Sequence, residues 1–589
     1  MFDKKDPLLL ALALLGLIYI GSMILGLGLG TDSPVDQNPQ VAVEPVQEMA
    51  SAFQPDYHMS FVDVASDVGI DFTHSAFEWG LSGDPIAMMG GGLCWLDYDN
   101  NGWIDLYVVN NYALAEAGRW QTDEGGLPTS ALYANDGGAF TDVSEPSGAG
   151  LPMRGNGCVA ADFNLDGWTD IYVTTSRDNL LLLNQQDGTF AEVAKASGGH
   201  AYGWQTGASV GDMTGDGLPD LFVSGYVDIN NKIEGSTMGF PNTNYGLRDR
   251  LFIHQGVDEN GLPMFVEVGE AVGLEPADID PDSTYEYGLG SLMTDVDQDG
   301  DLDILVANDT NPNRLYLNQP AENEYGFELV EAGGVARIND INSGMGVALG
   351  DFDNDGGQDI FITNLGHQTH SVYRNDGRSG LPAYIDSAAD LGVGEIGVGI
   401  TGWGTIWADF DNDSDLDLFT VNGHVPVLGP DEEMPIVFYH NRTAQGDIGQ
   451  LVDASAATTV DMLGNMHGRG ASAADFDNDG DLDVAVTQIG GQLLLLENRE
   501  IKGGSVTLSF GDFGTGQVPG TVITATLPNG QTLVHNVVVG DSYLSSADPR
   551  VILGLGDQPK ISTLQIVWPD GTIIEVEDVA AGETLNLTP

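Results

Sequence analysis

Asp475 opens the nonapeptide DFDNDGDLD, which ends at Asp483 and runs straight into the apolar stretch VAVTQ from Val484. Carboxylates stand at positions 1, 3, 5 and 9 (Asp475, Asp477, Asp479 and Asp483), and a glycine stands at position 6. Four carboxylates folded into one tight turn repel each other unless a cation sits among them. A short β-branched run after a turn rich in Asp and Gly reads as a buried strand leaving a loop.

The same nonapeptide pattern occurs six more times. DYDNNGWID begins at Asp97 (oxygen donors Asp97, Asp99, Asn101 and Asp105) and DFNLDGWTD at Asp162 (Asp162, Asn164, Asp166 and Asp170). DMTGDGLPD begins at Asp212 (Asp212, Thr214, Asp216 and Asp220) and DVDQDGDLD at Asp295 (Asp295, Asp297, Asp299 and Asp303). DFDNDGGQD begins at Asp351 (Asp351, Asp353, Asp355 and Asp359) and DFDNDSDLD at Asp409 (Asp409, Asp411, Asp413 and Asp417). Each is followed by an apolar run, and five residues before each first Asp stands a glycine: Gly92, Gly157, Gly207, Gly290, Gly346, Gly404 and Gly470. Glycine at a fixed strand position implies that another backbone passes too close for a Cβ, as where inner strands crowd around an axis.

A third apolar run ends at Asn184, Asn318, Asn375 and Asn498, and LYAN precedes Asp136; a fourth run often reads F-x-x-V. Four short strands per unit make a propeller blade. The fold class expected is all-β: a seven-bladed β-propeller over residues 56–500, followed by a small β-sandwich-like domain over 501–589. No F-x-x-V run follows Asn498, whereas Phe61-Val62-Asp63-Val64 stands ahead of the first unit, so the N-terminal strand is expected to close the ring.

The donors and the turn suit calcium, which takes about six to eight oxygens in flexible geometry and tolerates a sharp turn at glycine. A lone Asp- and Gly-rich turn can also be read as a turn without metal; seven in register argue against that. Up to seven structural Ca²⁺ are expected, each tying the turn between two strands, so that chelation loosens the ring. Asn101, Asn164 and Thr214 each replace a carboxylate and Ser414 replaces the glycine, so those sites are expected to bind more weakly. All-oxygen protein ligation leaves little room for an activated water, whereas catalytic metals keep an open position and commonly use His. No Ser-His-Asp elbow, phosphate loop or Cys-x-x-Cys pair is evident, so no enzyme is expected.

The G-x(4)-D-x-D-x-D-G-x-x-D repeats resemble FG-GAP or VCBS repeats, which are similar to the calcium-binding blades of integrin α-subunits. The segments GDSYLSSADPRVILGLGD from Gly540 and LQIVWPDGTIIEVEDV from Leu564 resemble the ASPIC/UnbV domain found after such propellers in the cartilage acidic protein family. Leu553 departs from that pattern, since relatives tend to carry an aromatic there. The resemblance implies a calcium-binding surface or secreted protein without a defined chemistry.

The chain has 589 residues, 88 Asp plus Glu against 19 Lys plus Arg, and a formal net charge of −69. That field repels nucleic acid and anionic lipid and favours cations. The seven loops hold 28 of the 88 acids, so seven Ca²⁺ would leave 55 formal negatives without an assigned role. With only Cys94 and Cys158, no disulfide framework is expected, and the pair is expected to stay unbridged. Residues 8–31 carry no charge and follow Lys4 and Lys5, so 1–7 read as cytoplasmic and 8–31 as a transmembrane anchor, with secretion after signal cleavage as the alternative. Residues 32–55 read as a flexible linker that places the propeller outside the cytoplasm, in the periplasm or at the cell surface.

Three insertions follow second strands and should emerge opposite the calcium loops: Asn111–Pro128 with Trp120, Tyr226–Leu247 with Tyr245, and His424–Pro435. Their aromatic and polar residues suit a protein or glycan ligand, or simple cover for the channel mouth. His367 and His370 in GHQTH and His424 in NGH are candidates for a transition-metal or catalytic cluster, with solvated loop histidines as the plainer reading. The function expected is adhesion, ligand binding or scaffolding. The alternatives are a carbohydrate-active lyase or hydrolase on a calcium-stabilised propeller, or an assembly factor for exported proteins.

Overall fold

The computed structural model describes residues 59–274, 286–375, 380, 382–391, 397–427, 429, 432–443, 449–499, 503–511 and 518–588. The expected anchor at 8–31 and linker at 32–55 lie outside the described residues. Among those residues no helix is long and apolar enough to cross a membrane.

The Asp-rich nonapeptides are hairpin connections. In every copy the residue before position 1 pairs with the Asp at position 9, from Leu96↔Asp105 in the first to Ala474↔Asp483 in the seventh. Each hairpin extends into a four-stranded antiparallel sheet, and there are seven such sheets, the first built from Leu93–Leu96, Asp105–Val108, Ala131–Asn135 and Phe140–Asp142. The first strand of each sheet contacts the first strand of the next, and Gly468–Ala474 of the seventh contacts Leu93–Leu96, a propeller-like cyclic order. Apolar side chains fill the space between neighbouring sheets; Trp95 and Leu106 of the first meet Ala485 and Leu495 of the seventh.

The outermost strand of the seventh sheet is Ser60–Asp63, paired antiparallel to Leu494–Arg499 with Phe61 opposite Asn498. That is the place expected for it. The Phe61 ring lies 5.6 Å from both Phe410 and Phe419 and 5.9 Å from Phe438, an aromatic cluster bridging the sixth and seventh sheets. The repeated glycine has the cause inferred for it: a Cβ on Gly346 would lie 2.1 Å from the Trp403 carbonyl oxygen of the next sheet.

After the seventh sheet, a three-stranded and a four-stranded sheet enclose their own core around Val506, Leu508, Ile523, Leu564, Ile566 and Trp568. Between them the chain detours into the axis of the sheets. Val539 bridges Val210, Ser542 N donates to Val347 O (2.7 Å), and Thr405 N donates to Ser542 Oγ (3.0 Å). Cys158 N donates to Leu544 O (3.3 Å), Ser546 N to Leu93 O (3.0 Å) and Asp548 N to Ala473 O (3.0 Å). Residues 539–548 therefore touch the innermost strands of six of the seven sheets, which no periodicity in the sequence announced.

Cys94 and Cys158 correct the expectation that they stay apart: they form a disulfide, with a Cα–Cα distance of 6.0 Å. The physical reason is the same crowding that selects the glycines, since the two residues lie on neighbouring innermost strands.

Candidate metal centres

Two residues in each nonapeptide adopt left-handed backbone. At position 6 these are six glycines, such as Gly356 at φ 90°, and Ser414 at φ 81°. At position 4 they are Asn100, Leu165, Gly215, Gln298, Asn354, Asn412 and Asn478, with φ between 55° and 72°. The two reversals fold the loop around its own acids. The carboxylate at position 1 accepts the backbone N–H of positions 5 and 6 in all seven copies, as Asp351 does from Asp355 and Gly356 at 3.0 Å each. The oxygen at position 5 accepts the N–H of position 7 in all seven. Position 9 accepts the N–H of the residue closing the third strand, as Asp359 does from Asn375 at 2.8 Å.

Position 3 is different. The Oδ1 atoms of Asp297, Asp353, Asp411 and Asn164 are buried without a hydrogen-bond partner. An orphaned buried oxygen costs about 1–3 kcal/mol, more if charged, and a cation among the acids would satisfy it. Donor atoms of Asp97, Asp99 and Asp105 lie within 4.8 Å of one another, and the same holds for Asp295, Asp297 and Asp299, for Asp351, Asp353 and Asp355, and for Asp475, Asp477 and Asp483. In the sixth loop the gathered group is Asp411, Asp413 and His440. Burial, reinforced by the neighbouring carboxylates, pushes Asp105 and Asp303 up to about 8 and Asp351 up to about 7 against the pull of their backbone hydrogen bonds, and Asp475 up to about 7 against the pull of the Arg550 guanidinium. Burial likewise lifts Asp170, Asp220, Asp359, Asp409 and Asp483 well above the usual carboxylate range. A dication would offset this penalty. The donor set of carboxylate oxygens fits a hard ion such as calcium.

The second and third loops gather no acidic trio of this kind among the described residues. Their position 3 is uncharged: Asn164 Nδ2 donates to Asp166 (2.8 Å) and Thr214 Oγ1 to Asp212 (3.4 Å). The first loop keeps Asp99 at position 3 and does gather its acids despite Asn101 at position 5. His370 is buried against Phe361, accepts the Asn364 N–H at 2.9 Å and is pushed down to about 3 by burial. His367 is exposed and His424 bonds Pro426 O at 2.9 Å; no metal-binding group among the described residues includes any of the three.

Sequence reading missed the residues around the loops. Asp481 at position 7 of the last loop is buried with an orphaned Oδ1 and pushed up to about 9 by burial and by Asp479. Arg374 sets its guanidinium 3.7 Å from Asp353. The residue closing the third strand acts as a clamp between sheets. Its side chain reaches the carbonyl of position 2 in the preceding loop: Asn135 to Phe476 (2.8 Å), Asn184 to Tyr98 (2.8 Å), His254 to Phe163 (2.8 Å), Asn318 to Met213 (3.0 Å), Asn441 to Phe352 (2.7 Å) and Asn498 to Phe410 (2.7 Å). The asparagine closing all but one of these apolar runs, His254 standing in the third, was the available signal.

The three insertions leave from the far ends of the second strands. Trp120 packs 4.6 Å from Trp79, with Arg119 4.3 Å above the Trp79 ring. Met88, Tyr226, Phe240, Met345 and Trp403 line a cavity of about 470 Å³, where Tyr226 Oη donates to Asp309 at 2.8 Å.

Residues 97–173, 162–223 and 295–362 match the FG-GAP-like repeat family, and residues 514–589 match the ASPIC and UnbV family. The chain carries FG-GAP-like repeats followed by an ASPIC and UnbV segment. It is 23% identical over 519 residues to cartilage acidic protein 1 of Xenopus tropicalis, covering 84% of this chain and 72% of that protein. It is 26% identical over 312 residues to cartilage acidic protein 1 of Homo sapiens, covering 51% of this chain and 43% of the relative, less than half the human protein's length. Among solved structures, one from work on recognition of non-reducing terminal N-acetylglucosamine by an Agrocybe aegerita lectin is 16% identical, with a TM-score of 0.35, covering 68% of this chain and 87% of that one. The axial detour at 539–548 lies within the ASPIC and UnbV segment, so that segment is packed into the repeats rather than merely appended to them.

Proposed function

We propose that this chain is an exported, calcium-loaded, seven-bladed propeller that binds a protein or glycan ligand for adhesion or scaffolding, without turning it over. The observation that carries the reading is the gathering of acid oxygens within 4.8 Å in the hairpin turns, with the position-3 Oδ1 of Asp297 and Asp353 buried and unpartnered in two of them. Asp97, Asp295, Asp351 and Asp475, with the acids of their own loops, would hold calcium, which supplies charge neutralisation that fixes the turn between two strands. The ion is structural, because the gathered oxygens sit in hairpin turns away from the insertions. The disulfide supports an oxidising compartment outside the cytoplasm. Residues 8–31 serve as the membrane anchor. The ligand is assigned to the insertions that carry Trp120 and Tyr245, the first of which packs Trp120 against Trp79.

The test is elemental analysis of the purified chain, joined to a screen against glycans and envelope proteins with and without chelator. Calcium-dependent capture with no turnover supports the reading. Turnover of a polysaccharide refutes the binding role, and metal-free protein with unaltered thermal denaturation refutes the calcium role.

A further inference from the structure

We infer that the sixth loop is a mixed-ligand site for a first-row transition dication of the zinc class, with His440 as its nitrogen donor. The inference rests on reading the hairpin loops as cation sites and gives one of them a different ion. His440 Nδ1 lies 3.0 Å from Asp417 Oδ1 and 4.0 Å from Asp411 Oδ2, and its donor atom falls in one group with those of Asp411 and Asp413. Two donors on one such ion, bound at about 2.1 Å, stand about 3.0–3.4 Å apart. Asp417 is fully buried, and its Oδ2 has no hydrogen-bond partner; the Oδ1 of Asp411 is also buried and unpartnered. Two orphaned carboxylate oxygens beside an imidazole are a donor set waiting for an ion.

Comparison among the seven copies makes the histidine specific. It occupies the last position before the residue that closes the third strand, where the other sheets carry Ala134, Leu183, Ile253, Leu317, Arg374 and Glu497. Only in the sixth sheet does this position offer an imidazole nitrogen. Imidazole favours zinc-like ions, whereas calcium selects oxygen. The C-terminal strands also enclose this copy: Gly554 packs against Asp409, Gly556 N donates to Asn412 O at 2.7 Å, and Gln531 Nε2 donates to Ser414 O at 3.2 Å. A cage preformed by these contacts suits a small ion better than a large flexible shell.

The test uses the full chain, stripped with chelator and equilibrated with millimolar calcium plus micromolar zinc, then assayed for both metals. The expected result is one equivalent of zinc that excess calcium does not displace, with imidazole scattering in the zinc-edge X-ray absorption of the wild type. His440→Gln should weaken zinc at least about tenfold and leave the calcium count unchanged. Zinc without the imidazole signature, or zinc retained equally by His440→Gln, overturns the inference whether or not the variant is stable. Calcium bound with no zinc overturns it while leaving the calcium reading intact. Zinc bound with no calcium sustains it and removes the calcium reading. Protein that takes up neither ion ends both.

Discussion

Asn184→Ala separates what joins the sheets from what builds the metal loops. Asn184 is 2% exposed; its Nδ2 donates to Tyr98 O in the preceding loop (2.8 Å) and to Thr169 O (3.1 Å), and its Oδ1 accepts from Gln186 N (2.9 Å). Alanine leaves two buried carbonyls and one N–H without partners, at about 1 kcal/mol each, so the loss should be about 3 kcal/mol. An unfolding entropy of about 2.1 cal/mol/K per residue over a cooperative unit of roughly 500 residues converts this to a fall in Tm of about 3 °C. Asn184→Asp keeps the size but turns a carboxylate toward the Tyr98 carbonyl, so it should cost more than alanine. The backbone N–H of residue 184 still reaches Asp170 in both variants, so calcium stoichiometry should not change. Calorimetry with parallel metal analysis reads both quantities. A Tm within about half a degree of wild type, or the loss of a metal equivalent, would refute the clamp.

Stripping calcium should invert the pH dependence of stability. Asp105 and Asp303 are raised to about 8 and Asp351 to about 7 in the folded chain. A raised carboxylate contributes stability that is full below its unfolded value near 4 and lost as pH rises through about 8. Chelated protein should therefore melt at progressively lower temperature across that window, whereas the calcium-loaded protein, whose ion competes with protons, should not. Gly346→Ala forces a Cβ to 2.1 Å from Trp403 O and should cost about 2 kcal/mol or more in urea unfolding, while Gly118→Ala, with open space around it, should be near neutral. Replacing Cys94 and Cys158 by serine opens a cross-link of 64 residues, a loss of roughly 4 kcal/mol in the loop-entropy account; equal melting of oxidised and reduced wild type would contradict it.

The repeat was legible because its demands are local. Hairpin turn, converging donors and backbone crowding each fix a residue type at a set position, and those positions are counted along the chain. His440 and Asn441 stand 23 and 24 residues beyond Asp417, whereas Asn184 stands 14 beyond Asp170, because an insertion of variable length intervenes. No fixed spacing therefore links a loop to the third-strand residues that complete it. The disulfide was hidden by the same arithmetic. Its separation of 64 falls one residue short of the spacing from Asp97 to Asp162, a coincidence with the repeat that was the signal to read. His370 looked like a ligand because its neighbours in sequence are polar, yet the contact that decides its role, with Phe361, comes from the strand preceding it.

The axial detour argues that the C-terminal β segment is part of the ring's stability. Val539, Tyr543 and Leu544 are buried against the innermost strands, Tyr543 lying 4.8 Å from Trp403 and donating to Met89 O at 2.8 Å. At about 2 kcal/mol for each buried apolar side chain, these three alone contribute about 6 kcal/mol. The loops are engaged as well: Ser505 Oγ donates to Gly480 O at 2.6 Å and Arg550 to Asp475 O at 2.6 Å. A chain ending at residue 500 would open Trp403 and the guanidinium of Arg469, stacked 4.1 Å above it, to water along the axis. It should lose stability out of proportion to its length and become sensitive to protease at the innermost strands, even with calcium in excess. A truncated chain that melts with the full protein and resists protease equally would show that the sheets close unaided, and that Gly92 and Gly157, where a Cβ would lie 1.8 and 2.6 Å from Leu544 O, have another cause.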